Sequence, residues 1–369
     1  MKDKTIAFIP VLIAGGGPAG SATALSLHAR GISCAVVQAA YPHAFKPGET
    51  VPANALPLFR KLRLDHLLRE PEHLPCFGNR FLWGTDQWTD ENFMSRLHSQ
   101  GWHLDRLCFE QQLEAECRGK GIQWHASCRV LQCDPIDNGW QVELQQANGD
   151  YTTLHCQFVV DATGRAARLA RGMGITRQSL DHLSGICTQI QLPAPVQPQY
   201  TFIEAVHNGW WYAAPLPQNK LALAFMTDSD MLGQQWLQPG ALLQNAAATQ
   251  MISTLLQPAL PQENVLLTQT AATAMLTQRY GHNWLAVGDA AYAYDPVSSY
   301  GIVSSLEGGY YAGHAIADTL QGNSDALPAY DWITSQAFDV YLKMYRTQYG
   351  YEQRFAEQPF WERRSVWVN

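Results

Sequence analysis

The sequence predicts an α/β protein in which a parallel-sheet nucleotide-binding domain carries an inserted antiparallel sheet and a C-terminal helical segment. The parallel sheet is predicted by residues 11–40, where VLIAGGGPAGSATALSLHARG has the pattern of a strand, a tight glycine turn and a helix, and SCAVVQAA that of a second buried strand. Residues 184–228 instead alternate as antiparallel strands do. From residue 326 onward the pattern is helical.

Composition limits the class of protein. The chain has 369 residues, 46% hydrophobic and 15% charged, which is enough apolar material for a well-packed core. The formal net charge is −7 and no basic run stands out, so we expect no nucleic-acid surface. No apolar stretch reaches the roughly 18 to 20 residues of a membrane span, so we expect no membrane partner.

The eight cysteines predict neither a metal site nor a disulfide framework, because none has Cys-x-x-Cys spacing. Most are expected to be small core residues in a reducing, cytoplasmic compartment; Cys34, in a valine-rich strand, is an example. Residues 1–20 combine lysines, an apolar run and small residues as a secretory signal does. Their glycine-rich end leads directly into a helical pattern of the fold, so we expect no cleavage there.

The glycine turn predicts a dinucleotide site. Its first glycine allows the turn, the second lets a pyrophosphate approach the backbone, and the third lets helix and strand pack closely, with the pyrophosphate on the helix N-terminus. An acid is expected at the end of the second strand to hold the ribose hydroxyls, but the chain has Gln38, which gives no charge-assisted bond. The residues of this site are Gly15, Gly17, Pro18, Ala19, Gly20 and Gln38.

The following segments alternate between loops, helices and strands. A proline-glycine loop at 44–50 precedes a helix ending near Leu64, and residues 77–96 are aromatic and irregular. Residues 101–121 predict an extended piece and then an amphipathic helix. A hairpin around Asn148-Gly149 feeds a buried strand that ends at Asp161. Residues 242–256, LLQNAAATQMISTLL, predict one helix.

These segments predict a discontinuous domain organisation. The nucleotide-binding domain comprises residues 1–75, 99–175 and 268–325. The inserted substrate domain comprises residues 176–267, with the irregular piece 76–98 beside it. Residues 326–369 form the C-terminal helical segment.

Three separated motifs resemble one family. They are the glycine turn, DATGR at 161–165 and GDAA at 288–291. Together they resemble the Rossmann-like FAD-binding fold of the p-hydroxybenzoate hydroxylase and flavin-dependent halogenase superfamily, over nearly the whole chain. The resemblance implies FAD as the cofactor, reduced by NAD(P)H or by a partner flavin reductase. It adds to the glycine-turn residues the cofactor contacts Arg106, Asp161, Gly164, Gly288, Asp289, Pro296, Gly301 and Ile302.

By this resemblance, the helix that begins near Gly301 lies under the isoalloxazine ring. A helix N-terminus favours negative charge, which suits the N1 anion of reduced flavin. Asp289 would contact the ribityl or pyrophosphate region, although an ordinary helix N-cap is the alternative. For Asp161 the alternative is an acid in the turn at the strand end.

The motifs favour oxygen transfer over halogenation. Halogenases of this fold carry a Trp-x-Trp-x-Ile-Pro stretch and a lysine after the Gly-Glu-Ser loop. In this chain GWWYAAPLP lacks that spacing, the comparable region LPCFGNRFLWGT has no lysine, and Lys61 lies in a helical pattern as a solvated residue would. Hydroxylation, or oxidation with release of peroxide, remains. Pro296 and Ser298, which are further candidate catalytic residues, are expected to line the flavin. The expected aromatic pocket wall consists of Trp210, Trp211, Tyr212, Tyr294 and Tyr300, although an aromatic residue taken alone is more often part of a core than of a site.

A narrower resemblance rests on KPGET, GWHLDR, GWWYAAPLP with AFMTD, and FWERR. This set is similar to the LodB- and GoxB-type flavoproteins, which mature quinoprotein oxidases with a cysteine tryptophylquinone cofactor. The resemblance implies a peptidyl tryptophan as the substrate, a quinoprotein oxidase precursor as the partner, and hydroxylation of the indole as the reaction. Glu49 and His103 are the candidate catalytic bases; for each, a structural hydrogen bond is the alternative.

Two other functions remain open from the sequence. One is hydroxylation of a small phenol or indole, which a closed cavity would favour. The other is a flavin-binding maturation chaperone that performs no chemistry.

Overall fold

The computed structural model describes residues 7–93, 100–238, 240–256 and 265–365. Parts of the N-terminal stretch 1–20, of the ranges 76–98 and 176–267, and of the C-terminal segment lie outside the described residues. The helices are α1 (Pro18–Ala29), α2 (Leu56–Leu62), α3 (Arg106–Gly119), α4 (Arg168–Gly172), α5 (Ala241–Ala247), α6 (Gly301–Leu320), α7 (Ala326–Gly350) and α8 (Pro359–Ser365).

The strands, in chain order, are β1 (Ala7–Ala14), β2 (Cys34–Gln38), β3 (Thr50–Val51), β4 (His73–Cys76), β5 (Gly78–Leu82), β6 (Thr89–Asn92), β7 (Gly101–Leu104), β8 (Gln123–Ala126), β9 (Arg129–Ile136), β10 (Gly139–Gln145), β11 (Tyr151–Asp161), β12 (Arg177–Ser179), β13 (Leu183–Gln191), β14 (Tyr200–Val206), β15 (Gly209–Leu216), β16 (Lys220–Asp228), β17 (Leu267–Thr270), β18 (Ala274–Leu276), β19 (Tyr280–Gly281), β20 (Trp284–Ala286) and β21 (Tyr292–Ala293). Short 3₁₀ turns join several of them.

The glycine turn lies at the centre of an eight-stranded sheet. Strand β1 pairs in parallel with β2 on one side and with β11 on the other, and β20 continues the parallel order beyond β11. Strand β10 pairs antiparallel with β11 across the turn at Asn148-Gly149, which confirms the hairpin predicted there, and β9 pairs antiparallel with β10. The α/β fold class predicted from the sequence is confirmed.

Helices α1 and α6 pack against each other through small residues. A Cβ on Gly309 would lie 2.4 Å from the carbonyl oxygen of Ala19, and one on Gly313 would lie 2.5 Å from Cβ of Ser26. Such close approach requires glycine. The first turn of α1 therefore packs against the third turn of α6.

A seven-stranded sheet forms the second layer, in the order β17-β13-β16-β15-β14-β5-β6. The prediction of irregular structure from residue 77 is wrong for 78–82 and 89–92, which form β5 and β6. Both strands are short, and β6, at the edge of the sheet, is polar; Arg80 of β5 pairs with Asp90 of β6 at 2.6 Å, and no apolar alternation marks either strand.

The single helix predicted over 242–256 is also wrong. Helix α5 ends at Ala247, and a separate 3₁₀ turn follows at Ile252–Leu255. The buried carboxylate of Glu204 accepts the N–H groups of Gln250, Met251 and Ile252 at 2.8–2.9 Å. Because those N–H groups bind a side chain, they cannot continue the helix.

The C-terminal helices pack on this second sheet. On α8, the buried guanidinium of Arg364 pairs with the buried Asp228 of β16 at 2.7 Å, and Trp361 donates its indole N–H to the carbonyl of Val206 at 2.8 Å. Within the described residues, no helix is long and apolar enough to cross a membrane.

Candidate functional site

A cavity of about 620 Å³ lies between the carboxyl ends of the parallel strands and the inserted sheet. Its size is typical of ligand sites, and the carboxyl ends of parallel strands are where such folds bind nucleotides. One end is lined by the glycine turn and by residues that follow β2 and β8. The other end is lined by strands of the inserted sheet and by residues that precede and begin α6: Gly185, Cys187, Tyr212, Ala222, Ala224, Met226, Tyr294, Pro296, Ser299, Gly301 and Ile302.

The glycine turn brings backbone donors to the cavity. Gly15 has φ +110°, and its N–H donates to the carbonyl of Val37 at 2.8 Å. A Cβ on Gly20 would lie 1.8 Å from the carbonyl oxygen of Gly15, so helix and turn touch directly. No side chain caps the N-terminus of α1, and Gly15, Gly17, Pro18 and Ala19 line the cavity. This edge therefore presents backbone N–H groups and a helix dipole to an anion.

Gln38 lines the cavity and supports the turn. Its Oε1 accepts the N–H of Gly16, and its Nε2 donates to the carbonyl of Ala39 at 2.9 Å. A contact between Gln38 and a ribose stays a prediction.

Asp161 lies outside the cavity lining and organises the turn after β11. Its buried carboxylate accepts the N–H and the hydroxyl of Thr163 and the N–H of Ala170, at 2.6–3.0 Å. Asp161 therefore has the role that was the alternative to a cofactor contact, that of an acid stabilising the turn at the end of the strand. The neighbours Thr163, Gly164 and Arg165 reach the cavity instead.

Asp289 lines the cavity and lies 3.4 Å from Nε of Arg165. The short turn 288–290 has Val287 at its N-cap, so Asp289 is not the cap. Gly288 lies behind the lining with φ +60°, and a Cβ there would lie 2.6 Å from Cβ of Ala19. Gly288 therefore sets the packing that brings Asp289 beside α1.

The start of α6 contributes backbone groups to the cavity. Pro296, Gly301 and Ile302 line it, and no side chain caps the helix. Ser298 and Tyr300 do not line it. The Ser298 hydroxyl donates to the carbonyl of Asp295 at 2.7 Å, which turns it back into its own turn.

Asp295 is a buried acid behind this segment. Its carboxylate accepts the N–H of Val297 and the hydroxyl of Tyr349, each at 2.8 Å. Burial, with a contribution from Asp181, raises the pKa of Asp295 to about 7. The folded protein therefore keeps on Asp295 a proton that the unfolded chain releases near pH 4.

This raised pKa predicts a stability that depends on pH. Between roughly pH 4 and pH 7 the folded state binds more protons than the unfolded state, so stability falls as the pH rises. Asp295→Asn removes the titrating carboxyl group. Between pH 5 and pH 8, we therefore expect the free energy of unfolding of the unmodified protein to fall by about 2 kcal/mol relative to that of the variant. Urea unfolding of both proteins at pH 5 and pH 8 measures this change. If the two proteins differed in free energy of unfolding by the same amount at both pH values, the raised pKa would be contradicted.

Glu49 lies at the cavity wall and is connected to a buried histidine. Burial, and then the nearby Glu49 carboxylate, hold the pKa of Tyr212 well above its usual value, and the Tyr212 hydroxyl lies 2.7 Å from Oγ1 of Thr50. Oγ1 of Thr50 lies 3.4 Å from Oγ1 of Thr201, which lies 2.9 Å from Nε2 of His103. We call these five side chains the hydroxyl chain.

The groups at both ends of the hydroxyl chain are buried. Glu49 is 3% exposed and His103 is fully buried, and His103 does not line the cavity. Burial raises the pKa of Glu49, although the nearby Arg106 opposes the shift. Nδ1 of His103 has no hydrogen-bond partner. Each hydroxyl can donate and accept, so the chain can pass a proton in either direction.

The two adjacent tryptophans do not line the cavity, which corrects the expected aromatic wall. Side chains alternate along β15, so Trp211 faces the far side of the sheet, where it packs on Phe225 with ring centroids 4.8 Å apart. Trp210 is on the same side as Tyr212, but its N–H donates to the Tyr349 hydroxyl at 2.9 Å and α7 covers it. Tyr212 and Tyr294 do line the cavity.

Several lining residues were not identified from the sequence. Lys46 and Thr50 lie within the KPGET motif, so that motif was the available signal. Glu110 follows Arg106 by one helical turn and pairs with it at 2.8 Å. Thr201, which lies outside the lining, carries no local signal, because it meets His103 from a different sheet and from 98 positions away in the sequence.

A family model described as an FAD binding domain matches residues 9–336 of the chain. The chain belongs to this FAD binding domain family. The resemblance to FAD-dependent monooxygenases and halogenases is thereby confirmed, and the chain is an FAD-dependent oxidoreductase of the monooxygenase class. The cavity suits the cofactor, since a Cβ on Gly17 would meet no atom nearer than 4.0 Å and no side chain caps the first turn of α1, so a pyrophosphate has room to approach the backbone N–H groups.

Named relatives of this FAD binding domain protein fall into two groups. It is 28% identical to the putative FAD-dependent oxidoreductase LodB of Marinomonas mediterranea, over 96% of each chain. It is 26% identical to the solved structure of QhpG, described as a peptidyl tryptophan dihydroxylase essential for tryptophylquinone cofactor biogenesis, with a TM-score of 0.80 over 97% of this chain and 79% of that one. The myxobacterial chondrochloren halogenase CndH shares the fold, with 19% identity and a TM-score of 0.86 over 97% and 86% of the two chains.

Proposed function

We propose that the protein is an FAD-dependent monooxygenase that hydroxylates a tryptophan side chain of a partner protein, the precursor of a quinoprotein oxidase. The observation that carries this proposal is the hydroxyl chain, which links an acid at the cavity wall to a buried imidazole. The similarity to LodB and to a peptidyl tryptophan dihydroxylase supports the substrate class.

Different parts of the cavity bind the cofactor and accommodate the substrate. The uncapped first turns of α1 and α6 bind the anionic parts of FAD through backbone N–H groups. When bound and reduced, by NAD(P)H or by a partner flavin reductase, FAD supplies the electrons that activate O₂. The inserted sheet presents small side chains to the cavity, Ala222 and Ala224 among them, and so leaves room for a flat aromatic substrate.

Glu49 is the proposed proton acceptor. Hydroxylation replaces a carbon-bound hydrogen of the indole with a hydroxyl group, and the second oxygen atom of O₂ leaves as water. The carbon-bound proton passes to the Glu49 carboxylate and through the hydroxyls of Tyr212, Thr50 and Thr201 to Nε2 of His103. A raised pKa suits Glu49 to this exchange near neutral pH.

Halogenation receives less support from the cavity. Among the described residues, the lysine that lines it is Lys46, whose ammonium pairs with Glu110 at 2.7 Å. Lys61 lies elsewhere, over the ring of Tyr310 at 4.0 Å. Lys61 follows Glu49 in the sequence but belongs to α2 and does not line the cavity, and residues 74–85, where the lysine of the halogenases is expected, contain none.

Mass spectrometry of a partner protein tests the proposal. The precursor of a quinoprotein oxidase is produced with and without this chain, and its tryptophans are examined for added oxygen. We expect an addition that depends on this chain and on its FAD. Consumption of reductant with an unmodified partner and a hydroxylated free indole or phenol would support the small-molecule alternative, and no consumption at all would support the chaperone.

A further inference from the structure

Three charged side chains meet beside the glycine turn and form what we call the charge clasp. The Glu110 carboxylate accepts from Nζ of Lys46 at 2.7 Å and from Nη2 of Arg106 at 2.8 Å. Glu110 and Arg106 are both largely buried, with side chains 13% and 10% exposed. Although burial opposes it, Arg106 and Lys46 hold the pKa of Glu110 below its usual value, so Glu110 is a carboxylate at neutral pH.

The charge clasp joins the loop between β2 and β3 to helix α3. Lys46 lies between β2 and β3, whereas Arg106 and Glu110 belong to the first turns of α3. Nη1 of Arg106 also donates to the carbonyl of Gly48 at 2.8 Å, and its buried Nε has no partner. Arg106 is thus fixed by backbone and carboxylate together, whereas Lys46 reaches α3 only through Glu110.

All three side chains line the cavity at its glycine end. A Cβ on Gly17 would lie 4.0 Å from Oε1 of Glu110. Gly17 is the second glycine of the turn, where a pyrophosphate approaches the backbone. A doubly charged pyrophosphate there would be attracted by the two cations and repelled by the carboxylate.

We propose that Glu110 occupies the place of an anionic ligand: it pairs with Lys46 and Arg106 when FAD is not bound. When FAD binds, Lys46 leaves Glu110 and pairs with the cofactor's pyrophosphate. Lys46 is the side chain that changes partner, because it is more exposed than Arg106, at 29%, and its side chain is flexible. Arg106 stays, held by the Gly48 carbonyl. Glu110 therefore lowers the affinity for FAD while it keeps the FAD-free site ordered.

Equilibrium binding of FAD to the apoprotein tests the proposal without reference to catalysis. Flavin fluorescence is titrated against apoprotein at 50 mM and 500 mM salt. We expect Glu110→Gln to lower the Kd by about tenfold at low salt, and by less at high salt, because screening weakens the lost repulsion. Lys46→Met should raise the Kd by about tenfold, and Glu110→Gln should lower the Kd by less in the Lys46→Met background than in the unmodified protein, because only the repulsion is then relieved.

Glu114→Gln is the matched control. Glu114 also pairs one turn along α3, with Arg118 at 2.7 Å, but it lies outside the cavity lining, so its Kd for FAD should not change. An unchanged or raised Kd in Glu110→Gln overturns the proposal. If Glu110→Gln fails to fold, Lys46→Met decides alone, and a Kd equal to that of the unmodified protein overturns it.

Discussion

Glu49→Gln should reduce the rate of tryptophan hydroxylation by roughly 10²- to 10⁴-fold while FAD remains bound, which is the range for loss of a general acid or base. Glutamine keeps the size of the side chain and its place at the cavity wall, but it cannot take up a proton. Glu49 is separate from the glycine turn and from α6, so cofactor affinity should stay within about twofold. The readouts are single-turnover oxygen incorporation into the partner and a flavin titration of the same sample.

The pH dependence separates a chemical role from a structural one. In the unmodified protein, activity should rise with pH as Glu49 loses its proton, with a midpoint above that of an ordinary glutamate because burial raises its pKa. The activity of Glu49→Gln should not show this rise with pH. Glu204→Gln is the control, since Glu204 is equally buried but accepts the N–H groups of Met251 and Ile252; this variant should have a lower stability and an unchanged rate. A Glu49→Gln protein with full activity would remove Glu49 from the mechanism.

Gly20→Ala should yield protein without bound flavin. The added Cβ would lie 1.8 Å from the Gly15 carbonyl oxygen and 3.3 Å from Cβ of Ala162, so α1 must move away from the turn. A shift of about 1 Å at a binding site can cost on the order of 100-fold, and overpacking of this kind costs about 1–3 kcal/mol of stability. We expect the Kd for FAD to rise at least by about 100-fold.

Gly119→Ala provides the comparison. Gly119 ends α3, and a Cβ there meets no atom within 4 Å, so its flavin content and stability should match the unmodified protein. Gly20→Ala protein with a normal visible flavin spectrum would show that the glycine turn does not set the cofactor's position.

The parts of the fold that depend on local sequence could be predicted. The β1-α1-β2 unit has a glycine pattern whose spacing follows from close contact, and the Asn148-Gly149 turn determines its own hairpin. The short strands β5 and β6 could not be predicted, because β5 pairs with β14, which is far away in the sequence, β6 pairs with β5, and neither shows apolar alternation. The break between α5 and the turn at Ile252 likewise depends on Glu204, a residue far away in the sequence.

The candidate site shows the same division. Gly15, Gly17 and Asp289 reach the cavity from motifs that the sequence displays. Trp211 does not, because the two-residue period of a strand sends neighbours to opposite faces, and which face meets the cavity depends on the whole sheet. Thr201 connects to His103 only through the arrangement of β14 beside β7, so the hydroxyl chain could not be inferred before the structure.

Labelling with ¹⁸O₂ tests the central claim most directly. The FAD-loaded protein is reduced without oxygen, mixed with the partner precursor, and exposed to ¹⁸O₂; the partner's tryptophan peptides are then weighed. We predict one ¹⁸O atom in the indole for each hydroxylation, with the other atom of ¹⁸O₂ in water. Flavin that reoxidises with labelled hydrogen peroxide as the product, and with no ¹⁸O in the partner or only oxygen from solvent water, would contradict oxygen transfer in this cavity.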